Sequence, residues 1–236
     1  MQLKNLMNFF DFRCVLCQKN LFMGNNGICS QCNKAIERYT YCGCCGMPTQ
    51  NNVQYCGYCL NSPPYWDHMI IIGHYAPPLS KLIQQFKFHN LFWLDKTLAR
   101  LLLLSVYEAR RLHFINFPDA IFPVPLSHLR QWMRGYNQAD LIASYLAKWL
   151  NIPYYPQHIQ RIKNTPTQLG LNAKERKQNL KDAFALSIQS SKYHSIALVD
   201  DVITTGSTLN EVAKCFKTLG VQNIQVWGLA RAYSAR

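Results

Sequence analysis

The chain of 236 residues is 49% hydrophobic and 13% aromatic, which excludes a disordered chain and suits one large domain or two smaller ones. Its apolar runs all fall well short of the roughly 18 residues that a membrane-spanning helix needs. Lys and Arg outnumber Asp and Glu by 25 to 12, and the net charge of +13 favours phosphorylated or polyanionic ligands, although a basic surface that serves only solubility gives the same balance.

The N-terminal residues lack the pattern of a secretion signal. Met1 to Phe12 contains Lys4 but no apolar block of signal-peptide length followed by small residues. We therefore expect a cytoplasmic protein without a membrane span. Cysteines stay reduced in that compartment, so disulfides are disfavoured.

Nine of the ten cysteines lie between Cys14 and Cys59, and eight of them form four pairs with two-residue spacers. Such a pair forms a tight knuckle that directs two thiolates at one tetrahedral Zn²⁺, and two knuckles complete a structural site. Eight ligands therefore predict two zinc ions. A redox dithiol is disfavoured because it usually occurs singly, where a strand meets a helix. The predicted ligands are Cys14, Cys17, Cys29, Cys32, Cys42, Cys45, Cys56 and Cys59.

Two connectivities of the four knuckles satisfy this spacing. Sequential pairing joins the first knuckle to the second and the third to the fourth, whereas cross-braced pairing joins the first to the third and the second to the fourth. We favour sequential pairing, as two consecutive zinc ribbons. Cys44 is then spare, although it could replace Cys45, and Cys215 is predicted to be a small buried residue of a helix.

The sequence Asn61-Ser62-Pro63-Pro64 breaks regular structure and predicts a domain boundary. A cysteine-rich domain of residues 1–62 would precede a second domain of residues 63–236. The first part carries 5 basic and 2 acidic residues, and the second carries 20 and 10. Most of the basic excess therefore belongs to the second domain.

Apolar patterns predict three elements after this boundary, a strand over Met69–Tyr75 and helices over Leu79–Phe88 and Trp93–Leu112. Lys87 lies off the apolar stripe of the first of these helices. We interpret it as a surface charge, with contact to a phosphate as the alternative.

A short buried strand is predicted over Ala120–Phe122, ending in Pro-Val-Pro-Leu, and an amphipathic helix over Ala139–Leu150. The segment between them contains two arginines and several aromatic and amide side chains. The guanidinium groups of Arg130 and Arg134 suit bidentate phosphate contacts, and the ring of Tyr136 could stack on a base or a ribose.

A basic segment from Arg161 to Lys181 carries 6 basic residues and the single acid Glu175, and it lacks an apolar period until late. One interpretation is a disordered basic linker. The other is a mobile loop in which Arg161, Lys163 and Arg176 contact an anionic ligand.

The strongest functional signal is a strand that ends in two carboxylates. Ile196 to Val199 is a continuous apolar run, typical of a strand buried on both faces of a parallel sheet. Asp200 and Asp201 follow at its carboxyl end, the edge at which open α/β sheets bind ligands. Thr-Thr-Gly-Ser-Thr comes next, before a helix predicted to begin near Leu209, and backbone N–H groups at a helix start attract phosphate.

This succession resembles the phosphoribosyl pyrophosphate signature of type I phosphoribosyltransferases. The resemblance implies that Asp200 and Asp201 face the ribose hydroxyls of phosphoribosyl pyrophosphate, which binds with Mg²⁺. It also implies that the loop from Val124 to Ser127, which includes Pro125, holds the pyrophosphate, and that the loop from Arg161 closes over it. A rigid proline turn explains the residues of the first loop equally well. The residues implied to wrap the 5-phosphate are Thr204, Thr205, Gly206, Ser207 and Thr208.

The chain as a whole resembles the ComF competence family through four features in one order. These are the paired cysteine knuckles, Pro-Val-Pro-Leu with Arg-Gly-Tyr-Asn-Gln, Thr-Pro-Thr-Gln with Glu-Arg-x-x-Asn, and the Asp-Asp segment. The likeness runs from Cys14 to about Ala230. It implies an α/β fold, in which a type I phosphoribosyltransferase-like parallel-sheet domain follows a small zinc-ribbon domain.

The same resemblance implies that the protein handles single-stranded DNA during natural transformation. It would act on the cytoplasmic side of the inner membrane, with other DNA-uptake proteins as partners. The alternative is an active phosphoribosyltransferase of nucleotide salvage or metabolism without a direct role on nucleic acid. The two activities are also compatible with each other.

Overall fold

The computed structural model describes residues 13–21, 27–88, 93–126, 135–163, 180, 182–187 and 192–233. Its centre is a sheet of four parallel strands. Across the sheet they are β1 (His68–His74), β6 (Asn223–Arg231), β5 (Ser195–Ile203) and β2 (Ala120–Pro123). An antiparallel pair of short strands lies outside it, β3 (Ile159–Arg161) and β4 (Phe184–Leu186).

The described residues contain six helices. Two are single turns in the cysteine-rich region and four belong to the α/β part. They are α1 (Ser30–Lys34), α2 (Gly57–Asn61), α3 (Leu79–Phe88), α4 (Leu94–His113), α5 (Gln138–Leu150) and α6 (Ser207–Thr218). Among the described residues, none of these helices combines the length and apolarity needed to cross a bilayer.

The core forms one layer on each face of the sheet, because successive strand residues point to opposite faces. Ile70 and Ile72 of β1 pack with α3, α4 and α5. Met69 and Ile71 pack with α6 and the β3–β4 pair. Trp227 of β6 is wholly buried between its neighbours, paired with Ile70 on one side and Val199 on the other. The predicted α/β class with a parallel sheet is confirmed.

The strand that carries the two carboxylates is longer than predicted. Its apolar run ends at Val199, but pairing with β6 continues to Ile203. Pairing with β2 stops at Val199, because β2 ends at Pro123. Asp200 and Asp201 are therefore strand residues near the carboxyl end, as predicted, and the strand continues two residues beyond them to Ile203.

Two further boundaries differ from the prediction. Helix α6 begins at Ser207 instead of near Leu209, because Gly206 takes a left-handed φ of 76° and turns the chain directly into the helix. Arg161 lies in β3, paired with Phe184, and not in a loop. Of the predicted basic loop, residues 164–179 and 181 lie outside the described residues.

The cysteine-rich region covers the outer edge of β1. The backbone N–H of Met69 donates to Gly43 over 2.7 Å, and that of His74 donates to Glu37 over 3.3 Å. Cys14 belongs to the same apolar core as α3 and α4. The division after Ser62 stays a prediction, and the two parts share hydrogen bonds and core across it.

Candidate functional site

The eight paired cysteines form two groups of four. In each group the four Sγ atoms lie within 4.8 Å of one another, so the predicted sequential pairing is confirmed. The first group is Cys14, Cys17, Cys29 and Cys32, and the second is Cys42, Cys45, Cys56 and Cys59.

The spacing of the sulfur atoms fits a tetrahedral zinc site. Sγ of Cys17 lies 3.7 Å from Sγ of Cys29, and Sγ of Cys45 lies 3.7 Å from Sγ of Cys56. Zinc–sulfur bonds of about 2.3 Å place tetrahedral sulfurs about 3.8 Å apart. A disulfide would need about 2.0 Å, and all ten cysteines are free thiols. Both groups could hold zinc.

Short helices and backbone amides shape the knuckles. Cys29 precedes α1 and its Sγ accepts from the N–H of Cys32, while the N–H of Cys56 donates to Sγ of Cys42 over 3.1 Å. Cys44 lies beside the second group but is not one of its four members. Burial raises the pKa of the Cys44 thiol to about 12. The structure thus agrees with the prediction that Cys45 is the ligand and Cys44 is spare.

At the other candidate site, the two carboxylates of β5 face opposite sides of the sheet. Asp201 shares the face of Val199, which packs with α3, and Asp200 shares the face of Leu198, which packs with α6. An Asp200 oxygen accepts from the backbone N–H of Asp201 over 2.8 Å, and the Asp201 carboxylate accepts from that of Val202. The adjacent acids therefore differ in their surroundings.

Lys87 is the charged partner of Asp201. Its Nζ lies 2.7 Å from Oδ2 of Asp201, and the two side chains are only 11% and 12% exposed. The interpretation of Lys87 as a surface charge is therefore wrong. Its neighbour Phe86 is fully buried, whereas Phe88 is 64% exposed, so the flanking residues gave no clear sign that the lysine turns inward.

The predicted phosphate loop joins β5 to α6. Its hydroxyl groups are close together, since Thr205 Oγ1 and Ser207 Oγ lie 2.8 Å apart. Gly206, the N-cap of α6, offers no side-chain cap, and the N–H of the first helical residue, Ser207, donates to Thr205 Oγ1 over 3.3 Å. Gly206 is needed there for two reasons, its left-handed φ and the indole of Trp66 directly beside it.

The turn after β2 has fewer donors than expected. The N–H of Val124 donates to the carbonyl of Val199 over 2.9 Å, and its carbonyl accepts from Asn137. Pro125 has no N–H at all. Pyrophosphate contacts through backbone amides therefore cannot come from these two residues and would have to begin at Leu126 or later.

The remaining predicted contacts divide between described and undescribed residues. Tyr136 donates its hydroxyl to the carbonyl of Phe86, so it ties α5 to α3 instead of presenting a free hydroxyl. Arg161 lies over the ring of Phe184, on the α6 side of the sheet, and Lys163 follows it in an exposed position. Arg130, Arg134 and Arg176 lie outside the described residues.

Two residues that the sequence did not indicate connect the second cysteine group to the phosphate loop. Trp66 contacts Gly206, and the Arg231 guanidinium donates to the carbonyl of Ile203. Burial lowers the pKa of Arg231 from its ordinary value. Neither residue carries a local motif, because its role depends on neighbours 22 or more positions away in the chain.

Several known proteins are similar to this chain. No model of a protein family matches the chain. It is 57% identical over 229 residues to competence protein F of Haemophilus influenzae, covering 96% of this chain and 100% of the relative. It is 42% identical over 219 residues to the DNA utilization protein YhgH of Shigella flexneri, covering 92% and 96%. Among solved structures, a purine phosphoribosyltransferase from Pyrococcus horikoshii aligns at 22% identity with a TM-score of 0.34, covering 57% of this chain and 73% of that one.

Proposed function

We propose that the chain, which belongs to the ComF competence family, serves DNA utilization through a site for phosphoribosyl pyrophosphate. The names of its relatives, a competence protein and a DNA utilization protein, support the general role. The residues at the carboxyl edge of the sheet support phosphoribosyl pyrophosphate as the ligand. A cytoplasmic location, with DNA-uptake proteins of the inner membrane as partners, is part of the same proposal.

The assignment of phosphoribosyl pyrophosphate as the ligand rests on the position of the two acids relative to α6. Asp200 and Asp201 lie at the carboxyl edge of a parallel sheet, and five residues separate Asp201 from Ser207, the first residue of α6. Helix amides and the hydroxyls of Thr205 and Ser207 suit a phosphate. Carboxylates accept hydrogen bonds from sugar hydroxyls. A ribose 5-phosphate satisfies both requirements at once.

The pyrophosphate of such a ligand requires cations. Bound Mg²⁺ would neutralise its charge, and carboxylate oxygens such as those of Asp200 are the ligands that Mg²⁺ prefers. In a transfer reaction the bond from C1 to the pyrophosphate oxygen breaks while the acceptor bonds to C1. The acids would then stabilise positive charge at C1, and Arg161 and Lys163 would stabilise the departing pyrophosphate.

Calorimetric titration tests the ligand. We expect full-length protein to bind phosphoribosyl pyrophosphate in the presence of Mg²⁺, and to bind ribose 5-phosphate more weakly. The protein in which both acids are replaced, Asp200→Asn with Asp201→Asn, should not bind. Unchanged binding by that variant would rule out this site.

A second activity, binding of single-stranded DNA, is supported by where the charges lie. The 42 residues from Tyr39 to Ser80 contain neither Lys nor Arg, so the segment that carries the second cysteine group supplies no cation of its own for phosphates. Helix α4 differs. Its outer face exposes cations next to apolar and aromatic side chains, at spacings of three and four residues, as backbone contacts and base stacking require. These residues are Lys96, Arg100, Leu104, Tyr107 and Arg111.

A further inference from the structure

The indole of Trp66 lies between the second cysteine group and the phosphate loop. The side chain is 6% exposed, and its Nε1–H donates to the carbonyl of Cys44 over 2.6 Å. At its other end the ring packs on the loop, since a Cβ on Gly206 would lie 2.8 Å from Cη2 of Trp66. One rigid side chain thus spans the distance from a knuckle to the loop.

Arg231 makes a second connection between the same two parts. Its guanidinium is buried, with Nε donating to the carbonyl of Cys45 over 3.1 Å and Nη1 donating to the carbonyl of Ile203 over 3.0 Å. Ile203 is the last residue of β5, directly before Thr204. The planar fork of donors holds both carbonyls in a fixed relation, which a lysine could not do.

A third contact holds the start of α6. The backbone N–H of Tyr65 donates to Oδ1 of Asn210 over 2.9 Å, and the N–H of Asn210 donates to the carbonyl of Gly206 over 2.8 Å. The residue before Trp66 is therefore linked to the same glycine. Three independent contacts converge on the phosphate loop from one side.

The carbonyls that accept these hydrogen bonds belong to the third knuckle itself. Cys44 and Cys45 lie within the turn that Cys42 and Gly46 close with a hydrogen bond of 2.9 Å, and Cys45 is one of the four clustered thiols. A metal ion held by the four thiols would join this turn to the knuckle of Cys56, and the positions of both carbonyls would then depend on that ion.

The first cysteine group has different neighbours. Cys14 packs with the core on the α4 side of the sheet. A Cβ on Gly27 would lie 2.5 Å from Oγ1 of Thr97, a residue of α4. This group is therefore a matched control for a metal site that is structural without touching the phosphate loop.

We infer that Trp66 and Arg231 are positioning residues, through which metal in the second cysteine group holds the phosphate loop in its binding geometry. Loss of metal from that group then switches off binding of a sugar phosphate, whereas loss of metal from the first group does not. The inference rests on the proposed sugar-phosphate site and adds its regulation.

The first test compares substitutions of the two connecting residues. Trp66→Phe keeps a ring but removes the N–H and the contact with Gly206, and Arg231→Lys keeps the charge but cannot bridge two carbonyls. We expect each to weaken binding of ribose 5-phosphate by about fivefold or more in calorimetry well below the melting temperature. Trp149→Phe on α5 should bind as the wild type does. A lowered melting temperature with unchanged affinity would mean a structural role only and would overturn the inference.

The second test uses the metal sites in the full chain. Cys59→Ser and Cys32→Ser should each lower the zinc content from two ions to one, but only Cys59→Ser should weaken binding of ribose 5-phosphate. Equal losses, or no loss in either variant, would overturn the inference.

Hydrogen exchange gives a reading that does not need a ligand. Amides of the segment from Thr204 to Leu209 should exchange faster in Trp66→Phe and Cys59→Ser than in the wild type, and at the wild-type rate in Cys32→Ser. Uniform exchange in all four proteins would contradict the inference. If the wild type binds neither ribose 5-phosphate nor phosphoribosyl pyrophosphate, the proposed function itself fails, whereas wild-type binding that the variants retain defeats only the inference.

Discussion

Lys87 and Asp201 form an ion pair of 2.7 Å that joins the end of α3 to the carboxyl edge of β5. Both side chains are about nine-tenths buried, so neither charge has much water to compensate the loss of its partner. The pair fixes one of the two acids on the α3 side of the sheet. It also brings a cation within reach of the edge at which the proposed ligand binds.

We expect Lys87→Met to lower the free energy of unfolding by about 3 kcal/mol, because it leaves Asp201 buried without its cation. Lys87→Met combined with Asp201→Asn should recover part of that loss. Urea unfolding of the four proteins in a double-mutant cycle measures the coupling. Lys81→Met, on an exposed position of the same helix, is the control and should change stability little. Additive losses would show that the pair contributes nothing.

The regular elements were predictable because their signals are local. Apolar periods located α3, α4 and α5 within one or two residues, and the two-residue spacers located the thiol groups. The full length of β5 was not predictable, since Asp200 and Asp201 look like the end of a strand and stay in the ladder only because β6 continues beside them. The inward turn of Lys87 was likewise not predictable, because it depends on a partner 114 positions further along the chain.

The two acids should respond differently to removal of their charge. Asp200→Asn should weaken binding of phosphoribosyl pyrophosphate by about tenfold or more while leaving thermal stability close to that of the wild type. Asp201→Asn should lower both, since it also breaks the pair with Lys87. Calorimetric titration and thermal melts of the single variants measure the two effects. Equal melting temperatures for the two variants would contradict the difference in their surroundings.

Removal of metal should destabilise the whole chain and not only its first sixty residues. Cys14, Ile28 and Ile36 share the apolar core of α3 and α4, so the cysteine-rich region and the sheet are packed into one continuous core. We expect two zinc ions per chain by elemental analysis, and a single cooperative melting transition that moves to lower temperature after chelation. Cys44→Ala should retain both ions. A chelated protein whose sheet melts at the original temperature would contradict the shared core.

Gly206→Ala should reveal the contact with Trp66 when it is compared with a second glycine. Both Gly206 and Gly220 have left-handed φ angles, 76° and 91°, but a Cβ on Gly220 meets nothing within 4 Å. Gly220→Ala therefore measures backbone strain alone, about 1 kcal/mol. Gly206→Ala should cost more than this in urea unfolding and should also weaken binding of ribose 5-phosphate. Equal costs would mean that the indole yields without resistance.

Salt dependence tests the proposed DNA surface on α4. On single-stranded DNA, each lysine or arginine that contacts a phosphate adds about 0.7 to the slope of log affinity against log salt concentration, because it releases counterions. Arg111→Gln should therefore weaken binding of a single-stranded oligonucleotide and lower that slope by about 0.7. Lys214→Gln, on α6 across the sheet, should leave the slope unchanged.

Stacking on the same surface is measured separately from charge. Tyr107 is 42% exposed and Phe114, just beyond the end of α4, is 90% exposed. Tyr107→Ala should weaken oligonucleotide binding by about tenfold at every salt concentration without changing the slope, since a stacked base contributes about 1–3 kcal/mol. Tyr58→Ala on α2 removes an aromatic ring that is 67% exposed, from a segment that contains neither Lys nor Arg. It is the control and should bind as the wild type does. A loss in Tyr58→Ala that matches the loss in Tyr107→Ala would place the DNA on the second cysteine group instead of α4.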